Sequence, residues 1–414
     1  MKRILLIALL LCIYGCSSQK GSTEMPAKNS SQSYSDKQQH VYDSIVNILN
    51  KLYDGYVKQT EEEYNKYIQI EQEAYDKYTT ELEKQWGAGN VKESTAKTWV
   101  DYSADGSSRS IVDFESGKIT IEILHEPGTT VDTKEIENKL QELLTNKGKT
   151  KVYVSETEQA TPLLDTPILE GLVNTPSGET VTEKNIDNAV KEIAQDITPE
   201  VSTIKGSDNV ERQVTTLTCD LAPGENIKGA EKYKVLVQKY CEKYDIDQAL
   251  VYAIIWQESR FNPAPTPPSK NHHAYGLMQI IPTQAGKDCY EHLYHKPGIP
   301  TIEYLVDPER NIEMGVCYLH ILKERYYTRV IDKDKQILCI IASYNQGAGA
   351  VSKALRGDTN ISKAIPQIND MSYDELFSLL EKKLPPIRLK DKYYNYHKEV
   401  TQSMEIYRTW LGFE

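Results

Sequence analysis

The chain has 414 residues, with 48 Lys and Arg against 60 Asp and Glu. That length allows two or three domains, and the composition excludes the collagenous and broadly disordered classes. The acid excess is local: residues 17–226 carry 21 Lys and Arg against 37 Asp and Glu, whereas residues 227–414 carry 25 against 23. The acidic part argues against a nucleic-acid partner, and the near-neutral part can approach an anionic polymer without strong repulsion. Tyrosine outnumbers Phe by 28 to 4. Aromatic faces with a polar edge suit contact with carbohydrate, or a wet interface of another kind.

Residues 1–15 read as a targeting segment. Lys2 and Arg3 precede an apolar run too short to span a bilayer. Ile13-Tyr14-Gly15-Cys16 resembles the lipobox of bacterial lipoproteins, which implies lipid on Cys16 as the first mature residue. An ordinary cleaved signal is the alternative. The Ser-, Gln- and Lys-rich residues 16–38 then form a flexible tether.

An α+β domain is expected over 39–225. It opens with a proline-free helix over 39–86, in which Tyr42, Tyr53, Tyr64 and Tyr75 recur every eleven residues, with Tyr56, Tyr67 and Tyr78 three further on. Eleven residues make three helical turns, so the tyrosines share a face. Packing against the domain is preferred over glycan contact or self-pairing for that stripe. Strands follow at 98–102, 109–114 and 118–124, the last two joined by a hairpin turn at Glu115-Ser116-Gly117. A helix is expected near 133–147, a strand near 150–155, a helix over 182–197 capped by Thr182, and strands near 200–205 and 211–219.

From 226 to 414 the pattern turns helical. One amphipathic helix is expected over 229–244. The next is capped by Asp247 and apolar nearly all round, so it belongs in a core. Asp307-Pro308 starts another, and the apolar run Ile337 to Ala342 ends at Gly347. Five cysteines lie beyond residue 16, at 219, 241, 289, 317 and 339. Being odd in number, they leave at least one free thiol, and their pairing is not readable. His272-His273 and His292-x-x-His295 lack acidic or Cys companions at ligand spacing, so no metal or organic cofactor is implied.

The core helix ends in AIIWQESRFNP. Asn262 precedes Pro263, which places Glu258 in the last turn. The helix dipole disfavours a carboxylate there, and so does burial beside Ile254 and Ile255. A carboxyl kept protonated near neutral pH is what a general acid needs. Alone, the segment reads rather as a Glu paired with Arg260 or turned to solvent.

Two further segments, Ala274-Tyr275-Gly276-Leu277-Met278-Gln279 and Ala342-Ser343-Tyr344-Asn345-Gln346-Gly347, follow Glu258-Ser259 in order, with the DP-x-x-NI-x-x-G-x-x-YL stretch of residues 307–319 between them. Together they resemble the catalytic domain of the lytic murein transglycosylases of the soluble type, whose fold is like goose lysozyme. Residues 100–102 and 109–122 resemble the amino-terminal domain of a membrane-bound branch of that family. The resemblance implies that Glu258 is the single acid–base, forming 1,6-anhydro ends on peptidoglycan glycan strands. It implies sugar or acid contacts for Gln279, Tyr344 and Asn345, an apolar wall of Tyr275 and Met278, and a substrate-binding place for Gly276 and Leu277 between them. Ser259 would place the acid or the start of the cleft. It further implies a lipid anchor in the outer membrane facing the periplasm, with cell-wall machinery as a partner class for the amino-terminal domain.

The family's P-x-x-E-x-R-x-Y pattern departs here: Lys392 falls at the acid's place after Pro385-Pro386, with Asp391 a substitute. No second acid occurs in the matched catalytic motifs, although most glycosidases need two. The rival readings are a hydrolytic muramidase on the same fold and a silent peptidoglycan-binding scaffold.

Overall fold

The computed structural model describes residues 29–149, 162–268, 273–389 and 392–412. Cys16, His272 and the strand expected near 150–155 lie outside them. Helix α1 spans Asn29–Trp86, 58 residues, and so is roughly 87 Å long. It starts ten residues before the expected boundary, because 29–38, read as tether from its polarity, holds neither Pro nor Gly to stop a helix.

The stripe on α1 is a packing stripe, and it continues to Trp86, eleven residues past Tyr75. Tyr75 and Trp86 are buried, and the Trp86 indole donates to the Gly106 carbonyl at 2.8 Å. Upstream, the stripe meets the carboxyl-terminal helices: the Tyr53 hydroxyl donates to Glu291 at 2.7 Å and that of Tyr67 to Glu303 at 2.8 Å. Tyr56 and Tyr78 stay exposed.

Strands β1 (Thr98–Tyr102), β2 (Ser108–Asp113), β3 (Lys118–His125), β4 (Glu200–Lys205) and β5 (Glu211–Asp220) form an antiparallel sheet in the order β1-β2-β3-β5-β4. Alternate residues such as Ile119, Ile121 and Ile123 point to one buried face. Helices α2 (Thr133–Leu144) and α3 (Ile186–Asp196) cover that face through Leu140, Val190 and Ile193. The β2–β3 turn is tied by Asp113, whose carboxylate accepts from the Glu115 and Ser116 amides at 3.0 and 3.1 Å. Gly117 supplies a φ of +68°. Thr182 does not cap α3. Asn185 does not cap with its side chain either, because that side chain turns back to accept from the Thr182 amide at 2.8 Å.

A second core is mainly helical. The single helix expected over 229–244 is two, α4 (Glu225–Lys232) and α5 (Lys234–Tyr244). The break is at Tyr233, at φ −108° and ψ 9°, whose buried ring stacks on Phe261. Helix α6 (Gln248–Ser259) runs through the centre, with residues 249–255 all buried. Asp247 caps it, accepting from the Ala249 amide at 2.8 Å. Around it lie α7 (Lys287–Tyr294), α8 (Ile302–Val306), α9 (Pro308–Ile321), α10 (Lys333–Gln346), α11 (Ala348–Arg356), α12 (Ile361–Asp370) and α13 (Tyr373–Lys383). A two-stranded hairpin, β6 (Ile387–Leu389) and β7 (Lys392–Tyr394), leads into α14 (Tyr396–Leu411), which packs along α6 through Tyr407 and Trp410 against Tyr252. Asp307 and Gly347 act as expected, the first capping α9 and the second ending α10 at φ +81°. All five cysteines of the described residues are free thiols.

Candidate active site

Helix α6 is apolar on every side until its last turn, where Glu258 reaches the floor of a cleft of about 430 Å³. The chain leaves the helix sharply, with positive φ at Arg260 (54°) and Phe261 (60°). Two consecutive non-glycine residues in that region are costly and persist only when the surroundings hold them. Here Asn262 does so, donating to the Thr95 and Ala96 carbonyls at 3.3 and 3.1 Å and accepting from the Ala264 amide at 3.0 Å.

Burial pushes the Glu258 carboxyl up to about 7. Two influences oppose that rise: the Tyr396 hydroxyl donates to Glu258 Oε1 at 2.7 Å, and the Lys97 charge favours the carboxylate. Arg260, the partner that the sequence offered, is engaged elsewhere. Its guanidinium lies 4.4 Å over the Trp256 ring, donates to the Trp256 carbonyl, and pairs with Glu115 at 3.2 Å. Among the described residues Glu258 forms no ion pair.

The loop from Tyr275 to Ile280 forms the adjoining wall. Tyr275 and Ile280 exchange backbone hydrogen bonds, closing a tight turn with Gly276 at φ +76°. A Cβ on Gly276 would stand 2.2 Å from Asn311 Nδ2, so only glycine lets Asn311 approach. Asn311 is fully buried: it accepts from the Met278 amide at 2.8 Å and donates to the Tyr275 and Leu305 carbonyls at 2.8 and 2.7 Å. Ser259 donates to the Leu277 carbonyl at 2.8 Å and Tyr344 to the Met278 carbonyl at 2.7 Å.

These contacts show how the expected wall is held. Ser259, Tyr275, Gly276, Leu277 and Met278 are buried, with the Ser259 hydroxyl and the Met278 amide among the groups that hold the loop. Gln279 does line the cleft, at φ +48°, and donates to the Gly276 carbonyl at 2.9 Å. Tyr344 is half-buried, its hydroxyl spent on the loop, while Asn345 accepts from Gln346 in a small hollow shared with Tyr396. Asp391 lies outside the described residues. Lys392 opens β7, and the hairpin brings Tyr394 and Tyr396 to the cleft.

The sequence reading missed Tyr396, Asn311, Lys97 and Glu115. Asn311 stood inside the matched DP-x-x-NI stretch, and Tyr396 inside the departing segment. Lys97 and Glu115 come from the sheet side of the molecule, with no local signal. The cleft also holds carboxylates from beyond the matched catalytic motifs: Asp113, Glu115 and Glu399.

Residues 235–365 match the transglycosylase SLT domain family, and residues 50–208 match the N-terminal domain of membrane-bound lytic murein transglycosylase C. The class is therefore a lytic transglycosylase acting on peptidoglycan. Over 311 residues the chain is 31% identical to membrane-bound lytic murein transglycosylase C of Yersinia pestis (strain Pestoides F), covering 73% of this chain and 81% of that one. It is 28% identical over 305 residues to the protein of the same name from Sodalis glossinidius, covering 73% and 82%. It belongs to the family of membrane-bound lytic murein transglycosylase C. The 70 kDa soluble lytic transglycosylase of Escherichia coli aligns at 26% identity over 44% of this chain and 24% of its own, with a TM-score of 0.29.

Proposed function

We propose that Glu258 is the one acid–base of this peptidoglycan lytic transglycosylase. In its neutral form it gives its proton to the glycosidic oxygen between N-acetylmuramic acid and N-acetylglucosamine as the C1–O bond breaks. The carboxylate then takes the proton of the muramic C6 hydroxyl while that oxygen bonds to C1. Atoms balance without water, the product carries a 1,6-anhydro ring, and the acid returns protonated. The observation that carries this reading is a cleft-floor carboxyl held near neutrality by burial, with a tyrosine hydroxyl as its hydrogen-bond partner.

Glu399 in the cleft favours a second reading, hydrolysis, with that carboxylate as base for water. Glu115 and Asp113 are committed to ion pairs and to a turn. Mass spectrometry of murein digested by the protein separates the readings: anhydro-muropeptides are expected, and water-added products would sink the single-acid reaction.

Gln279 and Tyr394 line the cleft and are assigned to glycan contact, with Tyr344 and Asn345 beside them. The catalytic unit is assigned to 226–414, following the helical core, and the α+β unit to 39–225. Lipid on Cys16, an outer-membrane anchor and a periplasm-facing site complete the proposal. They rest on the leader sequence and on the membrane-bound name of the relatives.

Tyr396→Phe removes a donor that favours the charged acid. The value for Glu258 then rises further, so the alkaline limb of the pH–rate profile is expected to move upward. The loss in kcat should be about tenfold. An unmoved limb in steady-state assays from pH 5 to 9 would show that the hydroxyl does not act on Glu258.

A further inference from the structure

The two cations that line the cleft, Lys97 and Arg260, sit in ion pairs with the same carboxylate oxygen. Glu115 Oε1 lies 3.4 Å from Lys97 Nζ and 3.2 Å from Arg260 Nη2. All three side chains are largely shielded, at 16, 13 and 22% exposure. Such pairs resist salt better than surface ones.

The arrangement is built from both sides of the seam. The β2–β3 turn, fixed by Asp113 and Gly117, presents Glu115 to the end of α6. Asn262, two residues beyond Arg260, grips the Thr95 and Ala96 carbonyls and so sets Lys97. Arg260 is closer in sequence to Glu258 than any other cation, and the left-handed turn at Arg260 aims it at Glu115 instead.

The remaining groups on the cleft come from two directions. The carboxyl-terminal segment supplies Tyr394, Tyr396 and Glu399, and helix α6 and the loop supply Gln257 and Gln279. None is a cation. Arg260 and Lys97 are thus the described residues able to pair with Glu258 and strip its proton at neutral pH.

We propose that Glu115 is a positioning residue of the reaction: it holds Arg260 and Lys97 in ion pairs of its own and so leaves the catalytic acid without a cationic partner. The carboxylate is supplied by the amino-terminal unit, so that unit takes part in setting the acid rather than only carrying it. Lys97 already favours the charged form of Glu258 from its present place. A free Lys97 or Arg260 would do so more strongly.

The inference rests on Glu258 being the acid. That reading fails if Glu258→Gln still cleaves murein, whatever happens at position 115. The test here is the alkaline limb of kcat/KM against pH for the full chain on purified murein. A rate that needs protonated Glu258 falls as pH rises through its value. Glu115→Gln frees both cations, so its limb is expected to move down by about one pH unit. Its activity relative to wild type at pH 7.5 should then be about sixfold lower than at pH 5.5. Glu115→Asp keeps the charge and is expected to restore most of the limb. Lys97→Met removes one clamped cation and is expected to move the limb the opposite way. A uniform loss at every pH in Glu115→Gln, or an unmoved limb in Lys97→Met, would mean the cluster is only a structural seam and would overturn the proposal.

Discussion

The Glu258→Gln variant is expected to lose turnover by about 10³-fold or more, since glutamine can neither give nor retake the proton. The same substitution is expected to stabilise the fold at alkaline pH. Glu258 binds its proton more tightly in the folded chain, with a value of about 7 against an ordinary 4.5. Below pH 4.5 the group is neutral in both states and costs nothing. As pH rises through the window from 4.5 to 7, the unfolded chain ionises first, and folding loses stability. Above pH 7 the loss is complete. The shift corresponds to about 3 kcal/mol, which glutamine does not forfeit. Thermal unfolding should therefore give a Tm several degrees higher for Glu258→Gln than for wild type at pH 8, and nearly equal values at pH 4.5. An identical difference at both pH values would show that the carboxyl is not held neutral by its surroundings.

The second large effect is expected at Asn311, which touches no substrate. Its amide group satisfies the Met278 amide and the Tyr275 and Leu305 carbonyls, all in a dry interior. Asn311→Ala leaves these backbone groups without that partner and opens a gap against Gly276. The cost should be about 3 kcal/mol or more, read as a lower denaturant midpoint. Function should fall further than stability alone predicts. The loop places Gln279 on the cleft, and the Met278 carbonyl that anchors Tyr344 belongs to it. Assayed well below its unfolding temperature, Asn311→Ala is expected to keep its fold but lose at least about tenfold in kcat. Full activity in a folded Asn311→Ala chain would show that the loop does not need this anchor.

Signals confined to one segment were legible. The caps at Asp247 and Asp307, the stop at Gly347, the β2–β3 turn and the raised acid at the end of α6 each follow from a few adjacent residues. What escaped was set by distance. Tyr396 lies 138 residues beyond Glu258 and Glu115 lies 145 before Arg260, and no period or spacing connects them. The break at Tyr233 escaped for the same reason: Phe261, on which its ring stacks, belongs to another stretch of chain. Ser259 and Met278 stand beside the acid in the motif, but nothing in it marks which groups fix the loop. The sequence pattern does not separate a residue that touches the ligand from one that fixes the backbone behind it.

Helix α1 has a consequence for reach. Upstream of Tyr53, the described side-chain hydrogen bonds of the helix stay within it. Adding or removing eleven residues there changes the span by about 16 Å yet turns the free end by only about 20°. Nine residues would put it on the opposite side. The stripe that docks the helix therefore also makes it a ruler graduated in elevens. The distance from the start of the helix to the cleft can be reset by whole units without turning that start to another side.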